Sequence, residues 1–113
     1  MKRLVGVRVI LVIAGLLTSA GAFASHQSGK VTRIIIRDSD GLIYFYMDGA
    51  REGGKPACAT HPYWMIRNEN SETAKRQLAI LMSARMSGMP ITVIGSNLCT
   101  RWGDGEDVNE IQL

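Results

Sequence analysis

Apolar residues recur at helical spacing between Ser71 and Gly88, and this stretch is the clearest element along the chain. Ser71 can accept hydrogen bonds from the backbone amides of a first helical turn, and Gly88 suits the left-handed residue that follows a helix. Pro90 cannot continue one. A single apolar stripe is formed by Ala74, Leu78, Leu81, Met82 and Met86. The pattern therefore predicts one helix with clear ends.

Short runs of β-branched and aromatic residues lie on both sides of this helix and predict strands. Residues 31–37 and 42–47 flank a polar turn that ends in Gly41, which is the pattern of a β-hairpin. The other predicted strands are the pair of pieces 57–59 and 63–67, then 91–94, and finally 108–113. Residues 25–30 and 49–55 are polar or glycine-rich, so we expect a loose arm and a mobile loop there.

The predicted order of elements is three strands, the helix, and two further strands. Five short strands with a helix between the third and fourth are typical of an OB-fold, in which the helix closes one end of a barrel. We therefore expect a β-rich α+β fold, namely a small five-stranded OB-fold-like barrel with one helix and one disulfide.

Residues 1–24 have the pattern of a secretory signal peptide. Three basic residues precede an apolar run, and Ala22-Phe23-Ala24 supplies the small-x-small pattern that signal peptidase recognises. The alternative is a transmembrane anchor, but the apolar run is shorter than the roughly 20 residues that a bilayer needs. We therefore expect a secreted or periplasmic protein whose single domain spans residues 25–113, with no membrane segment after processing.

Removal of the signal changes the charge of the protein. Lys2, Arg3 and Arg8 leave with it, which takes three of the 13 basic residues, while all 10 acidic residues stay. The mature chain then has a formal net charge of zero. A surface for nucleic acid is disfavoured, because binding a polyanion depends on excess positive charge.

Cys58 and Cys99 are the two cysteines of the chain. Both remain after processing, and an exported protein meets an oxidising compartment, so the even count predicts a disulfide between them. The alternatives are an intermolecular bond and a metal corner made by Cys58 and His61. That corner lacks the second pair of ligands that a zinc site uses.

The sequence contains no catalytic constellation, and we expect neither an enzyme nor a cofactor. Asp38 and Asp40 resemble the start of a calcium loop, but position twelve is Gly49, which cannot supply a bidentate carboxylate. The glycine-rich stretch before Pro56 lacks the lysine and hydroxyl residue of a phosphate loop. His61 has no nucleophile or carboxylate at a catalytic spacing. No metal site is therefore predicted either.

A family resemblance is carried by the second half of the chain. The helix is followed by Gly-Met-Pro-Ile-Thr-Val-Ile, then by Leu-Cys-Thr-Arg-Trp over 98–102, and then by a short closing strand. This order resembles the B subunits of bacterial AB5 toxins of the cholera and subtilase kinds. The Pro-Ala-Cys-Ala over 56–59 is also similar to small uncharacterised secreted proteins of Gram-negative bacteria. The first resemblance implies an exported OB-fold that forms pentamers and binds host glycans.

Two functions are therefore expected for the exported domain. The first is a binding module for a glycan or an exported protein, with Trp102, Asp104 and Glu106 as ligand contacts, because an indole stacks on sugar rings and carboxylates accept from hydroxyls. The alternative is a periplasmic interaction or assembly protein without glycan binding, such as a homo-oligomer built through sheet edges. The surface residues for that role are Arg33, Tyr44 and Tyr46.

Overall fold

A computed structural model describes residues 25–113 of the chain, and the predicted signal peptide over 1–24 lies outside the described residues. The described part folds into a β-rich domain with one helix. The seven strands and the helix are, in order, β1 (His26–Gly29), β2 (Val31–Ile36), β3 (Ile43–Met47), β4 (Arg51–Glu52), β5 (Trp64–Met65), α1 (Glu72–Ser87), β6 (Ile91–Gly95) and β7 (Glu106–Gln112).

The strands form one sheet that curls into a half-barrel, with the order β2-β3-β5-β7-β6-β1-β4. Neighbouring strands are antiparallel except β5 and β7, which run parallel with Trp64 opposite Glu106. The expected hairpin is present as β2 and β3, and the strands predicted around 63–67, 91–94 and 108–113 are also present. The expected five-stranded sheet is matched only roughly, because the sheet of the described residues has seven strands.

The two additional strands come from the polar segments that were expected to be an arm and a loop. β1 lies between β6 and β4, with Gln27 opposite Val93 on one side and opposite Arg51 on the other. The buried side chain of Gln27 accepts from the indole Nε1 of Trp64 at 2.8 Å and donates to the Gly49 carbonyl at 2.8 Å. A strand with this polar sequence is therefore stabilised by its partners rather than by apolar alternation.

The helix α1 begins and ends where the sequence predicts. The Ser71 hydroxyl accepts from the backbone amide of Ala74 at 3.0 Å, and Gly88 adopts a left-handed conformation with φ of 69°. The predicted apolar stripe is partly wrong, because Met82 and Met86 are 50% and 86% exposed. The helix packs through Ala74, Leu78 and Leu81 of the predicted stripe and through Ala84, which the stripe did not include.

Apolar side chains pack on both faces of the sheet. The main core lies between the helix and the inner face, and its largest members are Phe45 and Trp64. A second, smaller cluster lies on the outer face and contains Leu42, Tyr63 and Met65. Successive residues of β3 and β5 belong in turn to the main core and to the outer cluster, because neighbouring side chains along a strand point to opposite faces.

The predicted disulfide between Cys58 and Cys99 is present, with a Cα–Cα distance of 6.3 Å and a sequence separation of 41. The strand piece expected over 57–59 is wrong, since Ala57 and Cys58 form a turn. This turn is joined by the disulfide to the loop that follows β6. Within residues 25–113, no helix is long and apolar enough to cross a membrane.

Candidate functional site

Tyrosine side chains cover the outer face of the sheet around β3. Ile43 and Phe45 of β3 point into the main core, so Tyr44 and Tyr46 must point the other way. The two rings are half-buried, and both pack on Tyr63, with centroid distances of 5.2 Å and 5.8 Å. The three tyrosines thus form one continuous aromatic surface.

Tyr63 is fixed beneath this surface by the loop that precedes β7. Its hydroxyl donates to the Asp104 carboxylate, and a Cβ at Gly105 would come within 2.5 Å of its ring. Burial raises the pKa of Tyr63 well above its usual value, and the hydrogen bond to Asp104 raises it further. Glycine at position 105 and the carboxylate at 104 together hold the ring in place.

His61 extends the aromatic surface into solvent. Its ring stacks on Tyr63 with a centroid distance of 5.4 Å and an interplanar angle of 26°. The Nδ1 of His61 lies 3.3 Å from the Asp104 carboxylate, and its backbone amide donates to the Asp104 carbonyl at 3.1 Å. Asp104 therefore orients both rings, and it keeps about a third of its side chain accessible to a ligand.

Trp102 reaches the same surface through Arg37. The Arg37 guanidinium lies 4.9 Å from the Trp102 ring and 5.9 Å from the Tyr44 ring, so it bridges the two aromatic groups. Arg37 also donates to Asp40, and this hydrogen bond holds the pKa of the Asp40 carboxyl below its usual value. Trp102 itself is 39% exposed, which leaves much of the indole available for contact.

At the other end of the surface, the exposed Arg33 guanidinium lies 6.0 Å from the Tyr46 ring. The rings and their two arginines are contiguous, and we call this surface the aromatic face. Its members are Arg33, Arg37, Tyr44, Tyr46, His61, Tyr63 and Trp102. It combines flat apolar surfaces with guanidinium donors and the Asp104 acceptor, which suits the recognition of polar molecules that carry an apolar side.

The three predicted ligand contacts occupy different places. Trp102 and Asp104 lie at the aromatic face, but Glu106 is completely buried in β7. The Glu106 carboxylate accepts from the hydroxyl of Ser25 and, at 3.1 Å, from the backbone amide of Asn97. It therefore contacts the protein interior and not the surface on which Trp102 and Asp104 lie.

The loop that carries Trp102 is held from both sides. From the interior, the buried Asp107 accepts from the backbone amides of Thr100 and Arg101 at 3.0 Å and 3.2 Å. From the exterior, the Arg101 guanidinium binds the carboxylate of Glu69. These contacts hold the backbone next to Trp102 and so restrict the positions that its indole can take.

Sequence reasoning assigned Tyr44 and Tyr46 to the surface but missed Tyr63, His61 and Arg37 as members of it. The alternation in Ile-Tyr-Phe-Tyr was the signal for the first two, because it puts both tyrosines on one side of a strand. His61 and Tyr63 flank a proline just before a two-residue strand, and nothing in that pattern indicates which face they join. Within residues 25–113, no group of three or more histidine, cysteine or acidic side chains could hold a metal ion.

Comparisons with protein-family models, with curated proteins and with solved structures find no match for this chain.

Proposed function

We propose that this chain is an exported OB-fold-like domain that binds glycans through the aromatic face. The observation that carries the proposal is the contiguous set of three tyrosines, His61 and Trp102 on the outer face of the sheet. Tyrosine and tryptophan offer a large apolar ring and a polar atom at little cost in conformational entropy, so they are enriched where proteins bind other molecules.

The chemistry of the aromatic face fits a sugar better than a polyanion. Sugar rings present apolar C–H surfaces that stack on aromatic rings, and hydroxyls that donate to carboxylates and accept from guanidinium groups. Asp104 and the partly exposed Arg37 supply both kinds of partner beside Trp102. Arg37 is already paired with Asp40, so the excess positive charge that nucleic-acid binding needs is small here.

The OB-fold-like assignment is supported by the curled sheet and by the position of the helix. The helix lies between β5 and β6 in sequence, and it packs on the inner face of the sheet. Strands β1 and β4 would then be additions at one edge of a five-stranded barrel. Export, and with it a secreted or periplasmic location, is supported by the disulfide, which forms and persists in oxidising compartments.

The test is a glycan microarray probed with the disulfide-bonded protein and two variants. We expect Trp102→Ala to weaken binding at least about tenfold while the thermal unfolding curve stays close to that of the original protein. Met86→Ala is the matched control, because Met86 is exposed on α1 and lies outside the aromatic face. The proposal would be contradicted if the protein bound no glycan on the array, or if Trp102→Ala bound as strongly as the original protein.

A second candidate is an assembly protein that binds another copy of itself, as the toxin resemblance implies. The observation in its favour is β2, a six-residue strand at one edge of the sheet with Ile36 59% exposed at its end. An edge strand offers unpaired backbone groups to a neighbouring chain. Light scattering, with and without reductant, distinguishes the cases: a ring of about five subunits supports this candidate, and a monomer at every concentration excludes it.

A further inference from the structure

Arg51 in β4 is half-buried, but its guanidinium nitrogens are fully buried and have no hydrogen-bond acceptor. Its guanidinium lies 3.7 Å from the centroid of the Trp64 ring, so one side of the plane is covered by the indole. All three guanidinium nitrogens are inaccessible to solvent, and none of them reaches an acceptor among residues 25–113. Buried arginine nitrogens in folded proteins nearly always donate hydrogen bonds to an acceptor. The Arg51 guanidinium lacks such an acceptor among the described residues.

The charge on Arg51 remains despite its burial. Removal from water lowers the pKa of Arg51, and the nearby Glu106 carboxylate partly offsets this effect. An arginine pKa is so high that the group still carries its proton at neutral pH. Glu106 itself uses its two carboxylate oxygens to accept from Ser25 and Asn97, so it gives Arg51 long-range attraction but no hydrogen bond.

A cleft of about 420 Å³ adjoins Arg51, which is large enough for a small organic molecule. Its walls include Gly49 and Gly53 together with Met47, Arg51, Lys55 and Pro62. Gly53 in this wall carries no side chain and lies outside the strands, and a ligand reaches the guanidinium only if this backbone moves. None of these residues belongs to the aromatic face.

The lining of the cleft indicates the charge of its ligand. Arg51 and Lys55 supply two positive charges and the buried Glu106 one negative charge, so a single negative charge on the ligand balances the site. The planar fork of arginine matches the two oxygens of a carboxylate. Met47 and Pro62 offer apolar surface to the rest of the ligand. We propose that this cleft binds a small organic acid whose carboxylate pairs with Arg51.

The test uses nuclear magnetic resonance, because the two tryptophans give separate indole N–H signals. The Trp64 indole donates to Gln27 directly beneath the Arg51 guanidinium, whereas Trp102 lies at the aromatic face. Acetate, hexanoate and benzoate are titrated into the disulfide-bonded protein. Benzamide is the neutral control, and sodium phosphate and sodium chloride control for other anions. We expect a saturable shift of the Trp64 signal with hexanoate or benzoate, and no shift of the Trp102 signal.

Variants locate the site. Arg51→Met keeps a long side chain over Trp64 and should abolish the carboxylate-dependent shift. Lys55→Ala should weaken binding about two- to fivefold, as expected for an exposed charge. Arg33→Met, which removes an arginine from the aromatic face, should leave the titration unchanged.

The proposal is independent of glycan binding, since it depends on a different cleft and a different indole signal. It is overturned if no carboxylate gives a saturable shift of the Trp64 signal, or if Arg51→Met retains that shift. A shift given by phosphate alone would also overturn it, because the site would then prefer a more highly charged anion. If Arg51→Met does not fold, Arg51→Lys keeps the charge without the fork and should weaken hexanoate or benzoate binding at least about tenfold.

Discussion

The guanidinium of Arg101 donates to both carboxylate oxygens of Glu69, with nitrogen–oxygen distances of 2.9 Å and 2.8 Å. It also donates to the carbonyl of Asp40, in the turn of the β2–β3 hairpin, at 2.8 Å. One side chain thus joins the loop before β7, the segment before α1 and the hairpin. Because Trp102 follows Arg101 directly, this contact also sets the position of the exposed indole at the aromatic face.

Glu69→Gln should therefore destabilise the protein by about 1–3 kcal/mol at neutral pH, because a bidentate pair with little solvent exposure is lost. The hydrogen bonds from Arg101 hold the pKa of Glu69 below its ordinary value of 4.5. The stabilisation is thus complete above that value and is lost as the pH falls through the lower pKa of the folded state.

Urea unfolding between pH 2 and pH 7 measures this effect. The variant should show a weaker loss of stability in acid than the original protein. Glu72→Gln is the control, since Glu72 forms an exposed pair with Lys75 and its removal should cost less than about 1 kcal/mol. Parallel acid profiles for the original protein and Glu69→Gln would contradict the prediction.

Tyr63→Phe tests how the stability of the protein depends on pH above neutrality. The hydroxyl donates to Asp104, and burial is the main reason that the pKa of Tyr63 is raised above its ordinary value of 10.0. A raised pKa in the folded state means that the stabilisation is present below pH 10 and is lost as the pH rises towards the pKa of the folded protein.

The phenylalanine variant should lose about 1 kcal/mol at neutral pH, through the missing hydrogen bond, and should be less sensitive to alkali. Unfolding measured from pH 7 to pH 11 tests both points. An unchanged alkaline profile would show that Tyr63 does not limit stability there. Tyr46→Phe, on the same face, controls for the general loss of a tyrosine hydroxyl.

Gly95 lies where β6 meets two buried side chains. A Cβ at this position would approach the Glu106 carboxylate oxygen to 1.6 Å and the Trp64 ring to 2.9 Å. Gly95→Ala must therefore displace a buried carboxylate and an indole together, and we expect a loss of about 3 kcal/mol or more. Gly103→Ala is the matched control, because nothing lies within 4 Å of its added Cβ. Equal melting temperatures for the two variants would contradict this packing.

The double substitution Cys58→Ala and Cys99→Ala removes the disulfide and should lower the free energy of unfolding by about 4 kcal/mol. The reason is that the bond closes a loop with a sequence separation of 41 and thereby restricts the unfolded chain. The bond joins the turn after β4 to the loop after β6. Chemical unfolding of the two proteins gives the difference directly. A loss below about 1 kcal/mol would mean that the unfolded chain is already compact or that the native bond is strained.

The sequence by itself predicted the elements that local chemistry determines. The Ser71 cap and the Gly88 end define the helix without help from the rest of the chain, and the β-branched hairpin and the cysteine pair follow from composition. Tyr44 and Tyr46 were likewise expected at the surface of that hairpin. Apart from the cysteine pair, which follows from the even count and the expected compartment, these features depend on residues that lie within a few positions of one another.

Only the tertiary structure decided the features that depend on partners distant in sequence. β1 is a strand because Gln27 has neighbours on both sides and an indole to bind, although its polar sequence is typical of a loop. Glu106 was expected at the surface with Trp102 and Asp104, yet the start of β7 carries it into the interior, where Ser25 satisfies its carboxylate. Arg51 looked like part of a glycine-rich loop, and its burial over Trp64 arises from strand pairing with β1. These side chains are held by contacts between segments that are distant in sequence. A local sequence pattern carries no information about such contacts.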